Sequence, residues 1–170
     1  MISQGVSHVL SFWNGPVRAA QDFQSQTFAI EVKTTIANDI DTVTISSAEQ
    51  LDLLDLKHLF LSVVRISEDG VKGRTLPQLI KDVEAVLPLS ELSKFRAKLM
   101  CIGYEDSFAS QYKDSYLVKE IRHYEVKDGF PCIRSSMLPK EIDAIRYRLR
   151  LSSCESYVVS DVDMMACLEG

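Results

Sequence analysis

The sequence predicts a mixed α/β fold on three observations. Strand-type apolar runs lie at 27–34, 58–66 and 145–151, and helical spacing fills 76–103 between them. A chain of 170 residues, 46% of them hydrophobic, can bury one substantial core. No repeat, low-complexity tract or Pro/Gly-rich linker divides it, so a single domain over 1–170 is expected.

The elements follow in order. Ser3 to Phe12 has Val6, Val9 and Leu10 on one helical face, and "NGP" (Asn14 to Pro16) ends it. Gln21 to Ser25 is extended, with a turn at Ser25 and Gln26. Thr27 to Thr34 is rich in strand formers, and its parity sends Phe28, Ile30 and Val32 one way and Ala29, Glu31 and Lys33 the other. Asp41 to Ile45 is a further short strand. "SSAEQLDLL" then reads as a helix with Ser46 or Ser47 as its cap. "HLFLSVVRI" (His58 to Ile66) is the most apolar strand and is expected at the centre of the sheet.

Pro77 stands near the start of a helix carrying Leu79, Ile80, Val83, Val86 and Leu87 at helical spacing. A second helix follows, with Ser90 as cap and Gly103 as stop. "SYLVKEIRHYEV", "KDG" and "FPCIRS" predict a β-hairpin. "IRYRLRL" (Ile145 to Leu151) alternates strictly, as a strand with one wet face does. "SDVDMMACLEG" predicts a closing helix capped by Ser160.

Composition narrows the function classes. The net charge of −5 argues against a protein whose entire surface grips nucleic acid, while leaving room for local DNA contacts. No apolar run reaches the length of a membrane span. The N-terminus lacks the basic segment and cleavage site of a secretory signal, so a cytoplasmic location with reduced thiols is expected. Cys101, Cys132, Cys154 and Cys167 are scattered, and His8, His58 and His123 form no metal-binding pair.

The chemistry concentrates in "FAIEVKTT". Glu31 and Lys33 share one face of an apolar strand, where an unpartnered charge costs free energy. Pairing of Gln21–Ser25 with Thr27–Thr34 would bring Asp22 beside Glu31. Two adjacent carboxylates repel unless a cation lies between them, and Mg2+ suits such hard oxygen donors, with Mn2+ as a substitute. Asp22, Glu31 and the Val32 carbonyl are the expected ligands. Lys33 would orient or help deprotonate an attacking water.

A near copy, "HYEVKDGF", places Glu125 and Lys127 eleven and thirteen residues after Asp114. It runs into a turn, and its strand also carries Lys119, Glu120, Arg122 and His123, as a solvated ribbon does. An ion pair or plain solubility at a hairpin tip explains it.

Asp22…Glu31-Val32-Lys33 resembles the D…(D/E)-x-K signature of the PD-(D/E)XK nuclease superfamily, with Gln21 at the proline position. The pieces "FWNGP", "QDF", "AIEVKTT", "ISSAEQL", "YLVKEIRHYEVKDGFP" and "IRYRLRLSSC" resemble more narrowly the bacterial PD-(D/E)XK motif proteins of restriction-modification and phage-defence systems. The resemblance covers about Phe12 to the end. It implies a restriction-endonuclease-like central mixed sheet flanked by helices, with a core over about 12–90. A C-terminal extension over about 91–170 would carry the hairpin, strand and helix.

It also implies DNA cleavage, with Asp22 and Glu31 as metal ligands and Lys33 as the catalytic lysine. Gln50 would be a polar residue near the metal or substrate, and Thr34 a weaker candidate of that kind. Relatives carry a further N-terminal region whose helix often supplies another acid, so the chain is expected to correspond to a C-terminal half. Met1 to Leu10 contains neither Asp nor Glu.

Three functions remain open from the sequence. One is a Mg2+-dependent DNA endonuclease, or its catalytic half, with protein partners in a defence system. Another is an inactive nuclease-fold subunit that positions DNA. The third is an interaction domain with the hairpin from Tyr112 to Phe130 as its partner surface. A double-strand break needs two active centres or two visits, which also leaves a homodimer open.

Overall fold

The computed structural model describes residues 9–15, 19–36 and 41–169. Of the first expected helix, only Val9–Phe12 (α1) falls within the described residues; Val6, His8 and Pro16 lie outside them. The chain continues through β1 (Phe23–Gln24), β2 (Phe28–Thr35), β3 (Thr42–Ile45) and β4 (His58–Glu68). Then come β5 (Arg74–Thr75), α2 (Leu76–Val86), α3 (Leu89–Cys101), β6 (Ser115–Glu125), β7 (Tyr147–Arg150), β8 (Val158–Val159) and α4 (Asp161–Glu169).

Six of these strands form a mixed sheet in the order β1-β2-β4-β6-β5, with β8 also paired to β6. The sheet is flanked by helices, the α/β arrangement of a restriction-endonuclease-like fold. β4 is central, as its apolar content predicts: it runs parallel to β2 and antiparallel to β6. A parallel pair needs a crossover. Here residues 36–57 supply it and contain β3, which leaves the main sheet to pair antiparallel with β7.

The parity of β2 generates two cores. Ala29 joins Leu59, Leu61, Val63, Tyr124 and Val126 against Val43, Ile45 and Leu149 of the β3–β7 pair. Phe28 and Ile30, on the other face, join Phe60 against Met164 and Leu168 of α4. Each fully buried Val, Leu, Ile, Phe or Met among them contributes roughly 1.5–3 kcal/mol. α4 is capped as expected, with the Asp163 N–H donating to Ser160 Oγ at 3.1 Å. A third core joins α1, α2 and α3 through Leu10, Ile80, Phe95 and Leu99. Leu79 and Val86 of α2 remain exposed.

Several local expectations are corrected. The segment 46–54 is no α-helix: only Glu49–Leu51 make a single 3-10 turn, and neither serine caps it with its side chain. Leu54 enters the left-handed region at φ 43°, which ends any helical continuation. α3 begins at Leu89 after Pro88, so Ser90 lies inside its first turn, whereas Gly103 ends it at φ 87° as expected.

The return strand of the C-terminal hairpin does not form. After the Lys127–Gly129 turn, Phe130 is buried in the main core and stacks edge-on against Tyr157 at 5.1 Å. β6 is an inner strand between β4 and β5/β8: His123 and Tyr124 are buried, while Val118 to Ile121 stay exposed as in a solvated ribbon. Residues of the 91–170 segment thus complete both sheets. Among the described residues, no helix is long and apolar enough to cross a membrane.

Candidate active site

The short β1 strand is what brings the two acids together. Phe23 pairs with Ile30 and Gln24 with Ala29, so the next antiparallel register sets Asp22 opposite Glu31. Ser25 closes the turn between the strands by accepting from the Thr27 and Phe28 N–H groups at 3.1 and 3.0 Å. Asp22 is held at both ends: its carbonyl accepts from the Asn14 N–H at 2.7 Å, and its Oδ2 accepts from the Val32 N–H at 2.8 Å. A strand residue's N–H and C=O point to the same side, so the Val32 carbonyl also faces the β1 edge. A side chain in place of Gly15 would stand in this space, since a Cβ there would lie 3.4 Å from Asp22 Oδ1.

Glu31 is only 3% exposed, and Lys33 Nζ approaches its Oε1 to 2.6 Å. Burial pushes the Glu31 carboxyl up from 4.5 to about 7; the Lys33 ammonium opposes that rise, and the Asp22 carboxylate adds to it. The charged form of Glu31 is thus costly here despite a cation in contact. Additional positive charge would lower that cost.

Gln50 reaches the same cluster from the crossover connection. Its Oε1 accepts from Lys33 Nζ at 3.1 Å and from the Ser46 N–H at 2.8 Å, tying the lysine to the end of β3. The turn that carries Gln50 is braced by residues distant in sequence. Gln21 Nε2 donates to the Glu49 carbonyl at 2.6 Å, and the Ser135 N–H donates to Asp52 Oδ2 at 3.0 Å. Gln21 and Asp52 are both buried. These bracing roles were invisible in the sequence, because their partners stand 28 and 83 residues away.

Asp22, Glu31, Lys33 and Gln50 therefore come together in one place. Thr34 does not join them, being exposed on the opposite parity of β2. On that opposite face, a cleft of about 350 Å3 lies between Val32, Ser62, His123 and Asp161. There His123 Nδ1 bonds Ser62 Oγ at 2.8 Å, and burial holds the imidazole pKa below its usual value.

The second Glu-Val-Lys is different in kind. Glu125 and Lys127 pair at 2.6 Å, with the lysine side chain 54% exposed. Asp114 precedes β6 and Glu125 ends it, so a full strand, roughly 35 Å at about 3.3 Å per residue, separates the two acids.

The donor set suits a hard divalent ion: two carboxylates, one of them desolvated, and a backbone carbonyl on the same edge. Among the described residues, no three His, Cys, Asp or Glu side chains converge as a metal cluster. Protein ligands alone would therefore leave positions for water and substrate oxygen.

The six-stranded mixed sheet with flanking helices is an α/β fold consistent with a restriction-endonuclease-like architecture. Residues 1–152 match the family described as "Putative PD-(D/E)XK family member, (DUF4420)", and the chain belongs to that family. No curated protein and no solved structure matches it.

Proposed function

We propose that the protein is a divalent-metal-dependent deoxyribonuclease, or the catalytic part of one, acting by phosphodiester hydrolysis. The observation that carries this reading is the buried Glu31 carboxylate held between Lys33 and Asp22. Asp22, Glu31 and the Val32 carbonyl would hold Mg2+, with Mn2+ as a substitute. The ion would supply Lewis-acid polarisation of a phosphate oxygen and a more acidic bound water.

The chain's own groups have separable tasks. Lys33 sets its ammonium against Glu31 and can orient the attacking water or screen charge that develops on the phosphate. Gln50 fixes that ammonium through its single side-chain oxygen. Asp22 locks the edge of β2 through the Val32 N–H. The catalytic unit would be the whole of 1–170, because β6 and β7 complete the two sheets behind the site. The resemblance to bacterial restriction and phage-defence proteins supports a cytoplasmic role there, with DNA as substrate and with protein partners or a second copy.

One observation favours a second reading, an inactive nuclease-fold subunit of a defence complex: among the described residues, two acids rather than three meet at the site. Asp22→Asn separates the two. Asparagine keeps an oxygen for the Val32 N–H while removing the charge. Plasmid cleavage with Mg2+ should fall at least about a hundredfold, a loss of roughly 3 kcal/mol of transition-state stabilisation, with an unchanged melting temperature. A parent protein that neither cuts DNA nor binds Mg2+ or Mn2+ calorimetrically would favour the inactive subunit.

A further inference from the structure

The strictly alternating "IRYRLRL" segment takes no part in the reaction centre, yet it begins beside the end of β3 that leads to it. In β7, Leu149 is buried, while Arg148 and Arg150 are exposed, as is Arg146 just before the strand. β3 stands alongside in antiparallel register, with Thr44 opposite Arg148 and Thr42 opposite Arg150. The outer face of this two-stranded ribbon is thus a row of three arginines flanked by threonines. That is unusual in a chain of net charge −5. Arg148 Nη2 donates to Thr42 Oγ1, and Arg150 Nε lies 3.6 Å from Asp41 Oδ2. Among the described residues, neither Arg146 nor Arg148 has a carboxylate partner within ion-pair distance.

The ribbon is also joined to the reaction centre. β3 ends at Ile45, and the next residue, Ser46, gives its N–H to Gln50 Oε1, which accepts from Lys33 Nζ. The Arg146 end of the row, next to Tyr147 opposite Ile45, is therefore the end nearer Lys33. Alternate residues on a strand repeat at about 6.8 Å, two base-pair steps of 3.4 Å along one DNA strand. Guanidinium forks match phosphate oxygens in a two-point geometry that lysine does not.

We infer that the Arg146–Arg148–Arg150 face of the β3–β7 ribbon is the surface that grips the phosphate backbone of duplex DNA and feeds it to the Lys33 centre. This rests on the hydrolytic reading for its substrate class, but not for its test. Binding of a fluorescent DNA duplex is measured by anisotropy in EDTA, where no cleavage occurs, over a series of salt concentrations. Three phosphate contacts contribute a slope of about −2.7 in log K against log salt. The triple variant R146Q/R148Q/R150Q should lose most of that slope, and its Kd should rise on the order of 100-fold at about 0.1 M salt.

The charge-retaining R146K/R148K/R150K should keep the slope with weaker affinity. A glutamine variant with the parent's slope would overturn the ribbon assignment and leave the hydrolytic reading to its own Asp22→Asn assay. Equal loss in the lysine and glutamine variants would make the effect structural rather than electrostatic, and would overturn it too. So would a parent protein whose binding is confined to duplex RNA, or that shows no salt-dependent DNA binding.

Discussion

The Lys33→Ala protein is expected to fold and to cleave DNA at least a hundredfold more slowly than the parent. Lys33 Nζ sits 2.6 Å from Glu31 Oε1 and 3.1 Å from Gln50 Oε1, with its side chain only 17% exposed. A fixed cation in such a partly dry setting stabilises developing charge without having to reorganise. Removing one preorganised electrostatic group of this kind costs a factor of about 100 to 1,000 in rate. The fold should survive because Glu31 need not stay charged. Its pKa is already pushed up to about 7, and loss of the ammonium that opposes the rise would push it higher. The orphaned carboxyl then takes up a proton instead of opening the strand. Circular dichroism at pH 6 should match the parent, while plasmid cleavage with Mg2+ should collapse. Parent-like cutting by this variant would remove Lys33 from the chemistry.

Glu31→Gln should make the metal-free protein more stable at pH 8 and change it little at pH 4. In the folded parent this carboxyl titrates near 7 rather than 4.5. Between those values the native state holds a proton that the unfolded chain has released. The stabilising contribution is therefore fully present below about pH 4.5 and is lost as pH rises through 7. The displacement corresponds to roughly 3 kcal/mol. Glutamine has no such penalty, although it gives up the ionic contact with Lys33. Urea unfolding in EDTA at pH 4, 6 and 8 measures the effect: the variant-minus-parent stability difference should grow with pH, and a flat difference would mean that Glu31 is not desolvated. Millimolar Mg2+ should reverse the order at pH 8, stabilising the parent and leaving the glutamine variant unmoved.

Much of this site follows from local patterns. The parity of 28–33 assigns Ala29, Glu31 and Lys33 to one face, and the structure packs Ala29 into the core on that face, with Glu31 and Lys33 paired just beyond it. The register needed to bring Asp22 opposite Glu31 was also legible, because a turn at Ser25–Gln26 leaves few alternatives. What failed depended on distant partners. Gln50 was expected on a helix, but its segment is drawn into a single turn by Gln21 below and by Cys132 and Ser135 from the far end of the chain. The missing hairpin strand has a similar cause. Phe130 gains more from burial beside Tyr157 than from pairing with a β6 whose edges β4, β5 and β8 already cover. Nothing within a few residues of either segment signals these contacts.

The most direct test of the site is a crystal of the protein grown with Mn2+ and measured across the manganese absorption edge. An anomalous peak should appear between the Asp22 and Glu31 carboxylates on the Val32 side, with Lys33 displaced from its 2.6 Å contact but still within the site. A well-ordered structure at millimolar Mn2+ with Lys33 still clamped on Glu31 and no anomalous density there would contradict a metal-dependent hydrolytic centre.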